Sequence, residues 1–217
     1  SVFTDVLNAA DYGLPQLRKR TIVVGVSKGY SFSFPKIIKS KNKNLFEDKY
    51  LTIMSAISDL PKLNVGEEKN KYSCEPKNNY QKKMRGSNKI LTEHNCSNYG
   101  ERMQKIISLV PPKGDISDLP ISLRPKNYFN NVYARIDPTQ PSPTITRNFG
   151  TPSSTRCIHP FQNRALSTRE GARLQGFPDK FIFYGSKTSK NLQIGNAVPP
   201  LLGEIIGKQI IKSLNNK

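Results

Sequence analysis

The sequence is short of several residue types, and each shortage excludes a class of protein. Its 217 residues include three cysteines, two histidines and no tryptophan. An odd number of cysteines with long, irregular gaps forms no disulfide framework of the kind that holds small secreted domains together, and it indicates a reducing cytoplasm. No signal peptide is evident, and no apolar run reaches the roughly 20 residues that a membrane-spanning helix needs. We therefore expect a cytoplasmic protein without a membrane span.

Acidic residues are scarce relative to basic ones. The chain has 16 Asp and Glu against 34 Lys and Arg, which gives a formal net charge of +18 and a pI near 9.9. Lys and Arg bind polyanions strongly because the phosphates that they neutralise release counterions. The charge favours a nucleic-acid partner. The alternative is a solvated basic surface that reflects AT-rich coding, which would also explain the many Lys, Asn and Ile residues.

The few residues that could bind a metal form two short pairs. His94-x-Cys96 and Cys157-x-His159 would together supply four ligands of the kinds that tetrahedral zinc accepts. Neither pair has the usual spacing of a zinc finger. We therefore predict no metal site.

One strand and two helices are predicted in the first half of the chain. Ile22 to Val26 is a short apolar run rich in β-branched residues, typical of a strand that is buried on both faces. The spacing of apolar residues predicts a helix within Tyr50 to Leu63 and another from Glu101 to Val110. We interpret residues 27–50 as a loop and residues 64–100 as irregular.

A capping box marks a short helix in the last third of the chain. Ser167 and Glu170 have the spacing at which each side chain satisfies a backbone N–H of the other residue. The helix runs to Gln175 and ends at Gly176-Phe177-Pro178, because proline cannot continue the hydrogen-bond ladder.

A longer helix is predicted to begin at two prolines. Pro199 and Pro200 suit the first turn, where a missing N–H costs nothing. Gly203 and Gly207 would let another backbone approach this helix, and Asn196 just before it is predicted to lie in a tight turn. The residues that form its apolar face are Leu201, Leu202, Ile205, Ile206, Ile210 and Leu214.

A polar cluster precedes the predicted strand. In an extended segment alternate residues point the same way, so Gln16, Arg18 and Arg20 share one face. Two interpretations remain open. The cluster is either a solvated basic edge or a site for phosphate recognition, for which the planar fork of arginine is suited.

Three stretches resemble motifs of the DNA (cytosine-5) methyltransferase family, and they occur in the family's order. They are A-A-D-Y-G-L-P-Q-L-R-K-R (residues 9–20, the Gln-x-Arg-x-Arg motif), R-A-L-S-T-R-E-G-A-R-L-Q-G-F-P-D (164–179, the penultimate motif) and Q-I-G-N-A-V-P-P (193–200, the last motif). Weaker likenesses lie in Ala56 to Pro61 and in Tyr80 to Arg85. The resemblance covers about Leu7 to Val26 and Tyr133 to Gly207.

The resemblance implies a Rossmann-like α/β domain that binds S-adenosylmethionine, with a small, irregular target-recognition domain inserted into it. In that family a cytosine is flipped out of double-stranded DNA, a cysteine thiolate adds to C6, and C5 then takes the methyl group. The implied setting is a bacterial-type restriction-modification system.

The resemblance also implies roles for the polar cluster. Arg20 corresponds to the catalytic arginine that holds O2 of the flipped cytosine and stabilises the charge that develops there. Arg18 corresponds to its catalytic partner near the nucleophile and a phosphate. Gln16 corresponds to a side chain that braces both arginines at the DNA.

Other positions are expected to hold the cofactor or the DNA. Asn196, Ala197 and Val198 correspond to the segment that touches the methionine part of the cofactor. Arg169 and Glu170 correspond to helix residues that support the recognition domain. The residues expected near the DNA are Arg135, Thr144, Ile145, Arg147 and Asn148.

The chain departs from the family in what it lacks. No Pro-Cys dipeptide occurs, so the family's nucleophilic cysteine is absent. The Gly-rich loop that opens the cofactor site and the Glu-Asn-Val segment are absent too. We therefore expect the C-terminal portion of such an enzyme, either an expressed fragment or one subunit of a split enzyme. It would be inactive alone and completed by an N-terminal half.

These expectations divide the chain into three parts. Residues 1–26 and 161–217 would be pieces of the catalytic domain, and residues 27–160 would hold the target-recognition domain and its linkers. The alternative is a stand-alone DNA-binding module that recognises a sequence without catalysis.

Overall fold

A computed structural model describes residues 1–40, 48–129 and 131–215 of the chain. They form a mixed α/β fold, and none of their helices is both long and apolar enough to cross a membrane. The strands are β1 (Val2–Asn8), β2 (Lys19–Gly25), β3 (Lys39–Ser40), β4 (Asp48–Lys49), β5 (Ala134–Arg135) and β6 (Arg156–Ile158). The α-helices are α1 (Ile53–Ile57), α2 (Asn79–Arg85), α3 (Glu101–Leu109), α4 (Thr168–Leu174), α5 (Lys187–Asn196) and α6 (Pro200–Asn215). Short 3-10 helices span Ala9–Tyr12, Ile116–Asp118 and Ile121–Leu123.

β1 and β2 form an antiparallel hairpin in continuous register. Because side chains alternate between the two faces of a strand, each strand contributes one row to each face. The inner face lies on α6, where Leu7 packs with Leu202 and Ile206. The hairpin and the last helix of the chain therefore form one small hydrophobic unit.

The outer face of the hairpin is uncovered in the described structure. Val2, Val6 and Val23 are 73%, 57% and 62% exposed. The expectation that the strand at Ile22 to Val26 is buried on both faces is therefore wrong for this chain. The reason is that α6 covers one face and no other described element covers the second.

The main core surrounds α4, whose seven residues are all buried. Its predicted capping box is confirmed. Ser167 Oγ accepts a hydrogen bond from the Glu170 N–H, and the Glu170 carboxylate accepts one from the Ser167 N–H at 2.7 Å. These bonds satisfy buried donors at the first turn, so the helix can begin inside the core.

The core around α4 draws side chains from much of the chain. It joins α1, α2, α4 and α5 with the segment between β5 and β6. Its members include Ile53, Ala56, Tyr80, Met84, Ile136, Ile145, Phe149, Ala172, Phe177 and Ile194. Residues assigned to two different domains thus share one core, and the division at residues 26 and 160 stays a prediction.

A second core is built around α3. The buried face of this helix packs against the neighbouring 3-10 turn and the parallel pair β5 and β6. The residues involved are Ile106, Ile107, Val110, Ile116, Leu119, Val132, Tyr133 and Ile158.

Three predicted helices are confirmed as α1, α3 and α6, although α1 is shorter than the apolar pattern suggests. α2 lies within residues 64–100, which were expected to be irregular. Part of the predicted loop at 27–50, residues 41–47, lies outside the described residues.

The expected tight turn at Asn196 is wrong, because this residue ends α5. Ser186 begins that helix by accepting a hydrogen bond from the Ser189 N–H. Gly203 and Gly207 were expected to let another backbone approach, and this stays a prediction. A Cβ built at either glycine meets no atom within 4 Å in the part of the chain that is described, so no backbone approaches α6 there.

A buried network of ion pairs joins α2 to α4. Arg173 pairs with Asp59 and with Asp179, whose Oδ2 is 2.6 Å from the guanidinium. Arg85 pairs with the same Asp59 at 2.7 Å. Two carboxylates thus balance two guanidinium groups, and removal of one partner would leave a buried unpaired charge at a cost of about 3 to 5 kcal/mol.

A second buried group surrounds Glu170, whose carboxylate accepts two hydrogen bonds of 2.7 Å from Arg164. Burial alone would raise the pKa of Glu170, but the charge and hydrogen bonds of Arg164 outweigh burial and lower the pKa. His159 Nε2 lies 3.8 Å from this carboxylate. Burial lowers the pKa of His159 to about 4 and also lowers the pKa of His94.

The two histidines considered for zinc have other partners. His94 bonds to Ser167 Oγ and to the Pro61 carbonyl at 2.9 and 2.8 Å. His159 Nδ1 accepts a hydrogen bond from the Phe161 N–H at 3.0 Å. Over residues 1–40, 48–129 and 131–215, no group of three or more His, Cys, Asp or Glu side chains could hold a metal ion.

The lowered pKa of His159 predicts that the protein loses stability in mild acid. Its pKa falls from 6.5 in the unfolded chain to about 4 in the fold, so between these values the unfolded chain binds a proton that the folded chain does not. The free energy of unfolding should therefore decrease as pH falls through this window, by on the order of 2 kcal/mol. Urea titrations near neutral pH and at about pH 5 measure this change.

The matched variant is His159→Gln, which cannot titrate. It should be less stable at neutral pH but should lose less further stability in acid, with the remaining slope coming from His94 and the carboxylates. An unchanged pH dependence in the variant would contradict the role of His159.

Candidate active site

Arg18 lies where three distant parts of the chain meet. Its side chain is 1% exposed. Nη1 donates to the Ile145 carbonyl at 3.0 Å, and Nη2 donates to the carbonyls of Gly195 and Ala197 at 2.9 and 3.1 Å. One guanidinium therefore connects the segment before β2, the segment after β5 and the end of α5. We call this contact of Arg18 with Ile145, Gly195 and Ala197 the Arg18 junction.

Arg18 has no carboxylate partner among the described ion pairs, and its buried Nε has no hydrogen-bond acceptor there. Burial, and then the positive charge of Arg20, lower the pKa of Arg18 to about 10, so the side chain is still charged at neutral pH. A buried charge with an unused donor is costly unless a ligand satisfies it. Such a group marks a candidate functional site.

Gln16 fastens the same junction. Its Nε2 donates to the Leu174 carbonyl at 3.0 Å and to Gln175 Oε1 at 2.7 Å. Its Oε1 accepts from the Ile145 N–H at 2.8 Å. Gln175 in turn donates to the Ala197 carbonyl at 2.8 Å. Gln16 is therefore a buried brace whose side-chain groups all bond to protein, and this geometry gives no support to a direct DNA contact.

Two glycines let the segment after Ile145 lie directly against α4 and α5. A Cβ at Gly195 would overlap the backbone of Thr146 and Arg147, and a Cβ at Gly171 would overlap the ring of Phe149. The requirement for glycine at these positions comes from packing. It fixes the segment at the end of α5, beside the acceptors of Arg18.

Arg20 is half-buried next to this junction. It pairs with Leu7 in the hairpin, and its Nη1 donates to the Lys19 carbonyl at 2.6 Å. Its charge is close enough to contribute to the lowered pKa of Arg18. The two arginines of the motif thus lie close together, while the shared face of Gln16, Arg18 and Arg20 stays a prediction.

The residues predicted to hold the cofactor lie at the end of α5. Asn196 and Val198 are exposed, and Ala197 is half-buried. Because the Ala197 carbonyl accepts from Arg18, the structure brings this segment and the predicted catalytic arginine into direct contact. Exposed side chains on a backbone that a buried arginine holds in place are suited to form one wall of a ligand site.

The residues predicted near the DNA separate into two groups. Thr144, Arg147 and Asn148 are exposed, and Thr144 Oγ1 donates to the Leu17 carbonyl at 2.7 Å. Ile145 is buried in the core. A DNA contact is therefore open to the three exposed side chains and closed to that of Ile145.

Arg135 is buried, and each of its five N–H donors already has an acceptor. They bond to the carbonyls of Val110, His159, Gln162 and Ile107 and to Asn163 Oδ1. The guanidinium joins α3 to the turn after β6. This geometry argues against the expected DNA contact of Arg135, because no donor is left for a base or a phosphate.

Arg169 and Glu170 lie in the first turn of α4 and tie that helix to other segments. Arg169 donates to the Thr92 carbonyl at 3.0 Å and to Thr92 Oγ1 at 2.8 Å. Glu170 holds Arg164, as described above. These contacts fit the supporting role that was predicted, which stays a prediction.

Sequence reasoning missed Gln175, Gly171 and Gly195 as parts of the junction. All three lie within the recognised motifs, but their spacing gives no sign that they meet the segment after Ile145. A single sequence carries no other signal for these contacts.

Comparison with known proteins relates the chain to a family. A sequence model described as C-5 cytosine-specific DNA methylase matches residues 1–212. The chain belongs to this family. Members of the family use S-adenosylmethionine as methyl donor.

Several curated relatives are methyltransferases. The chain is 35% identical to Type II methyltransferase M1.HphI of Haemophilus parahaemolyticus, over 98% of this chain and 48% of that protein. It is 32% identical to Type II methyltransferase M.DdeI of Desulfomicrobium norvegicum, over 94% of this chain and 53% of that protein. The chain spans about half the length of these curated relatives.

A solved structure resembles the whole described fold. It is the crystal structure of a prophage-encoded DNA modification methyltransferase from E. coli, with a TM-score of 0.71 and 25% sequence identity. The match covers 100% of this chain and 61% of that one. It supports the mixed α/β fold of the family member described here.

Gly195→Ala is predicted to disrupt the junction. The added methyl group would collide with the backbone of residues 146 and 147, so we expect a loss of roughly 1 to 3 kcal/mol in the free energy of unfolding. Urea unfolding of the variant measures it.

Gly203→Ala is the matched control, since Gly203 also lies in a helix but an added Cβ would meet no described atom within 4 Å. Alanine there should be neutral or stabilise by up to about 1 kcal/mol. Equal effects of the two substitutions would contradict the close approach at Gly195.

Proposed function

We propose that this chain is the carboxyl-terminal part of a DNA (cytosine-5) methyltransferase of the type II restriction-modification kind. It would supply the DNA-recognition surface and one side of the active site. The remainder of the Rossmann-like domain, with the Pro-Cys nucleophile, would come from an N-terminal half. The observation that most directly supports this proposal is the uncovered outer face of the hairpin.

That face has the properties of a sheet that continues into a partner. A sheet in an α/β fold is covered on both faces, and two strands alone are marginally stable in water. Here α6 covers the inner face, while the valines of the outer face are exposed and the strands pair only with each other among the described residues. An N-terminal half would cover the valines and pair with the free edges.

None of the three cysteines suits the role of the nucleophile. The attacking species is the thiolate, so a catalytic cysteine needs a low pKa and access to the substrate. Burial raises the pKa of Cys96 and Cys157. Cys74 is exposed but lies in a loop that contributes nothing to the Arg18 junction. This supports a chain that is inactive alone.

Within the complete enzyme, the two motif arginines would act on the flipped cytosine. Arg20 would donate to O2 and stabilise the charge that develops there as the nucleophile adds to C6. Arg18 would act through the surrounding backbone, which its guanidinium holds in place beside Arg20.

The cofactor and the DNA would approach from the exposed side of the junction. Asn196, Ala197 and Val198 would form one wall of the S-adenosylmethionine site, and this cofactor supplies the methyl group when bound. Thr144, Arg147 and Asn148 would face the DNA. The net charge of +18 supports a DNA substrate, because neutralised phosphates release counterions.

Mixing of the two halves tests the proposal. We expect no methyl transfer from labelled S-adenosylmethionine to DNA by this chain alone, and transfer after addition of an N-terminal half that carries the Pro-Cys motif. Arg20→Ala in the mixture should lower kcat by roughly 100-fold to 1000-fold, because a donor to the developing charge is lost.

Methyl transfer by this chain alone would overturn the proposal. So would sequence-selective DNA binding by this chain together with no gain of activity on mixing, which is the outcome expected of a stand-alone DNA-binding module.

Val23→Lys tests the hairpin surface. A lysine on the outer face would have to be buried at the interface, so assembly with the N-terminal half should weaken by about 100-fold, whereas the fold of this chain should be unaffected. Ile121→Lys is the matched control, since Ile121 is exposed on a 3-10 turn away from the hairpin. Sedimentation or titration of a labelled half measures assembly, and equal affinities for both variants would contradict the proposed interface.

A further inference from the structure

A groove lined by basic residues runs beside α2. Its larger part is a cavity of about 760 Å³ formed by residues 71–75 and 85–89. A smaller part of about 330 Å³ shares residues 85–88 and is completed by neighbouring residues of α2 and by Pro178 and Lys180. No residue of the Arg18 junction lines either part.

Arg85 forms the fixed point of this groove. It is 9% exposed, and its guanidinium carbon lies 3.9 Å above the centre of the Tyr72 ring. Nη2 donates to Asp59 and to the Cys74 carbonyl, each at 2.7 Å. Stacking on one side and two hydrogen bonds at one end therefore hold the planar group in place.

The rest of the Arg85 guanidinium is unused. Nε is buried without an acceptor among the described residues, and Nη1 lies 3.9 Å from Glu75, which is beyond hydrogen-bond distance. Arg173 and Arg164, the other arginines bound to buried carboxylates, use donors from both ends of their guanidinium groups. Nη1 of Arg85 is therefore the donor that remains free for an oxygen of an anion in the groove.

The charges around Arg85 favour an anion. Lys71, Lys83, Lys89 and Lys180 also line the two cavities, and all four are exposed. The acidic residue in the lining is Glu75, whose side chain is 96% exposed and points into solvent. Ser87 and Asn88 add polar groups between the two cavities.

We propose that this groove binds a phosphate group, with Arg85 as the fixed donor and Lys71 and Lys89 as the mobile charges around it. The phosphate would belong either to a DNA backbone that passes outside the target site or to a small phosphorylated molecule. This site is independent of the methyl-transfer chemistry, and it does not rest on the function proposed above.

The test compares two double variants of the full chain that remove the same charge. Lys71→Gln/Lys89→Gln neutralises the groove, and Lys28→Gln/Lys36→Gln neutralises two exposed lysines elsewhere. Binding of inorganic phosphate is followed by calorimetry or NMR, and binding of a labelled duplex DNA by fluorescence anisotropy at two salt concentrations. Circular dichroism verifies that each variant is folded.

The groove variant should bind phosphate about tenfold or more weakly, whereas the control variant should bind it as the unchanged chain does. If DNA affinity and its salt dependence fall with phosphate affinity, the phosphate comes from the DNA backbone. If phosphate binding weakens and DNA binding does not, the ligand is a small phosphorylated molecule. Saturable binding that is absent, or that is lost equally in both variants, would overturn the site.

Arg85→Lys provides a second readout. The lysine keeps the positive charge beside Asp59 but lacks the planar fork. A folded variant should therefore bind phosphate several-fold more weakly. Unchanged phosphate affinity in this variant would remove Arg85 from the site and overturn the proposal.

Discussion

The rest of the structure depends on a buried positive charge that is held by backbone carbonyls. Arg18 has no carboxylate beside it in the described structure, so its charge is compensated by carbonyl dipoles from the segment after β5 and from the end of α5. Each of these groups lies more than a hundred residues from Arg18 in sequence. Because a buried charge is expensive when its acceptors move away, the arginine resists any separation of these segments. Gln16 and Gln175 reinforce the same junction with uncharged hydrogen bonds.

Under the proposed function, this arrangement would keep one wall of the active site ordered before an N-terminal half adds the opposite wall. The Arg18 junction is buried, whereas the neighbouring Asn196 and Val198 are exposed. Order is thus built from the inside of the chain toward this exposed surface. The ion pairs of Asp59, Arg173 and Asp179 do the same for the packing of α1 and α2 on α4.

Local signals in the sequence predicted the helices better than the contacts between them. Ser167 and Glu170 defined the start of α4, because a capping box acts over a single turn. The pattern after Pro200 defined α6. By contrast, α2 and α5 were missed because they are short and polar, and α5 took the place of the expected turn at Asn196. The site followed the same division. Alternation predicted that Gln16, Arg18 and Arg20 share one face, and the family resemblance predicted the catalytic and cofactor roles; these stay predictions. Burial of Gln16 and Arg135 depends on distant carbonyls, which no local pattern records.

The uncovered valines of the hairpin also limit the solubility of the isolated chain. A flat apolar surface with unpaired strand edges is a template for pairing with further copies of the same chain. Such pairing increases with concentration, so the solubility of the isolated chain is limited even though its interior is well packed. Lys19 at the start of β2 and the high net charge increase the solubility of the chain by repulsion between copies, and added salt lowers the solubility again by screening. The outer face of the hairpin thus influences the solubility of the chain as well as its assembly.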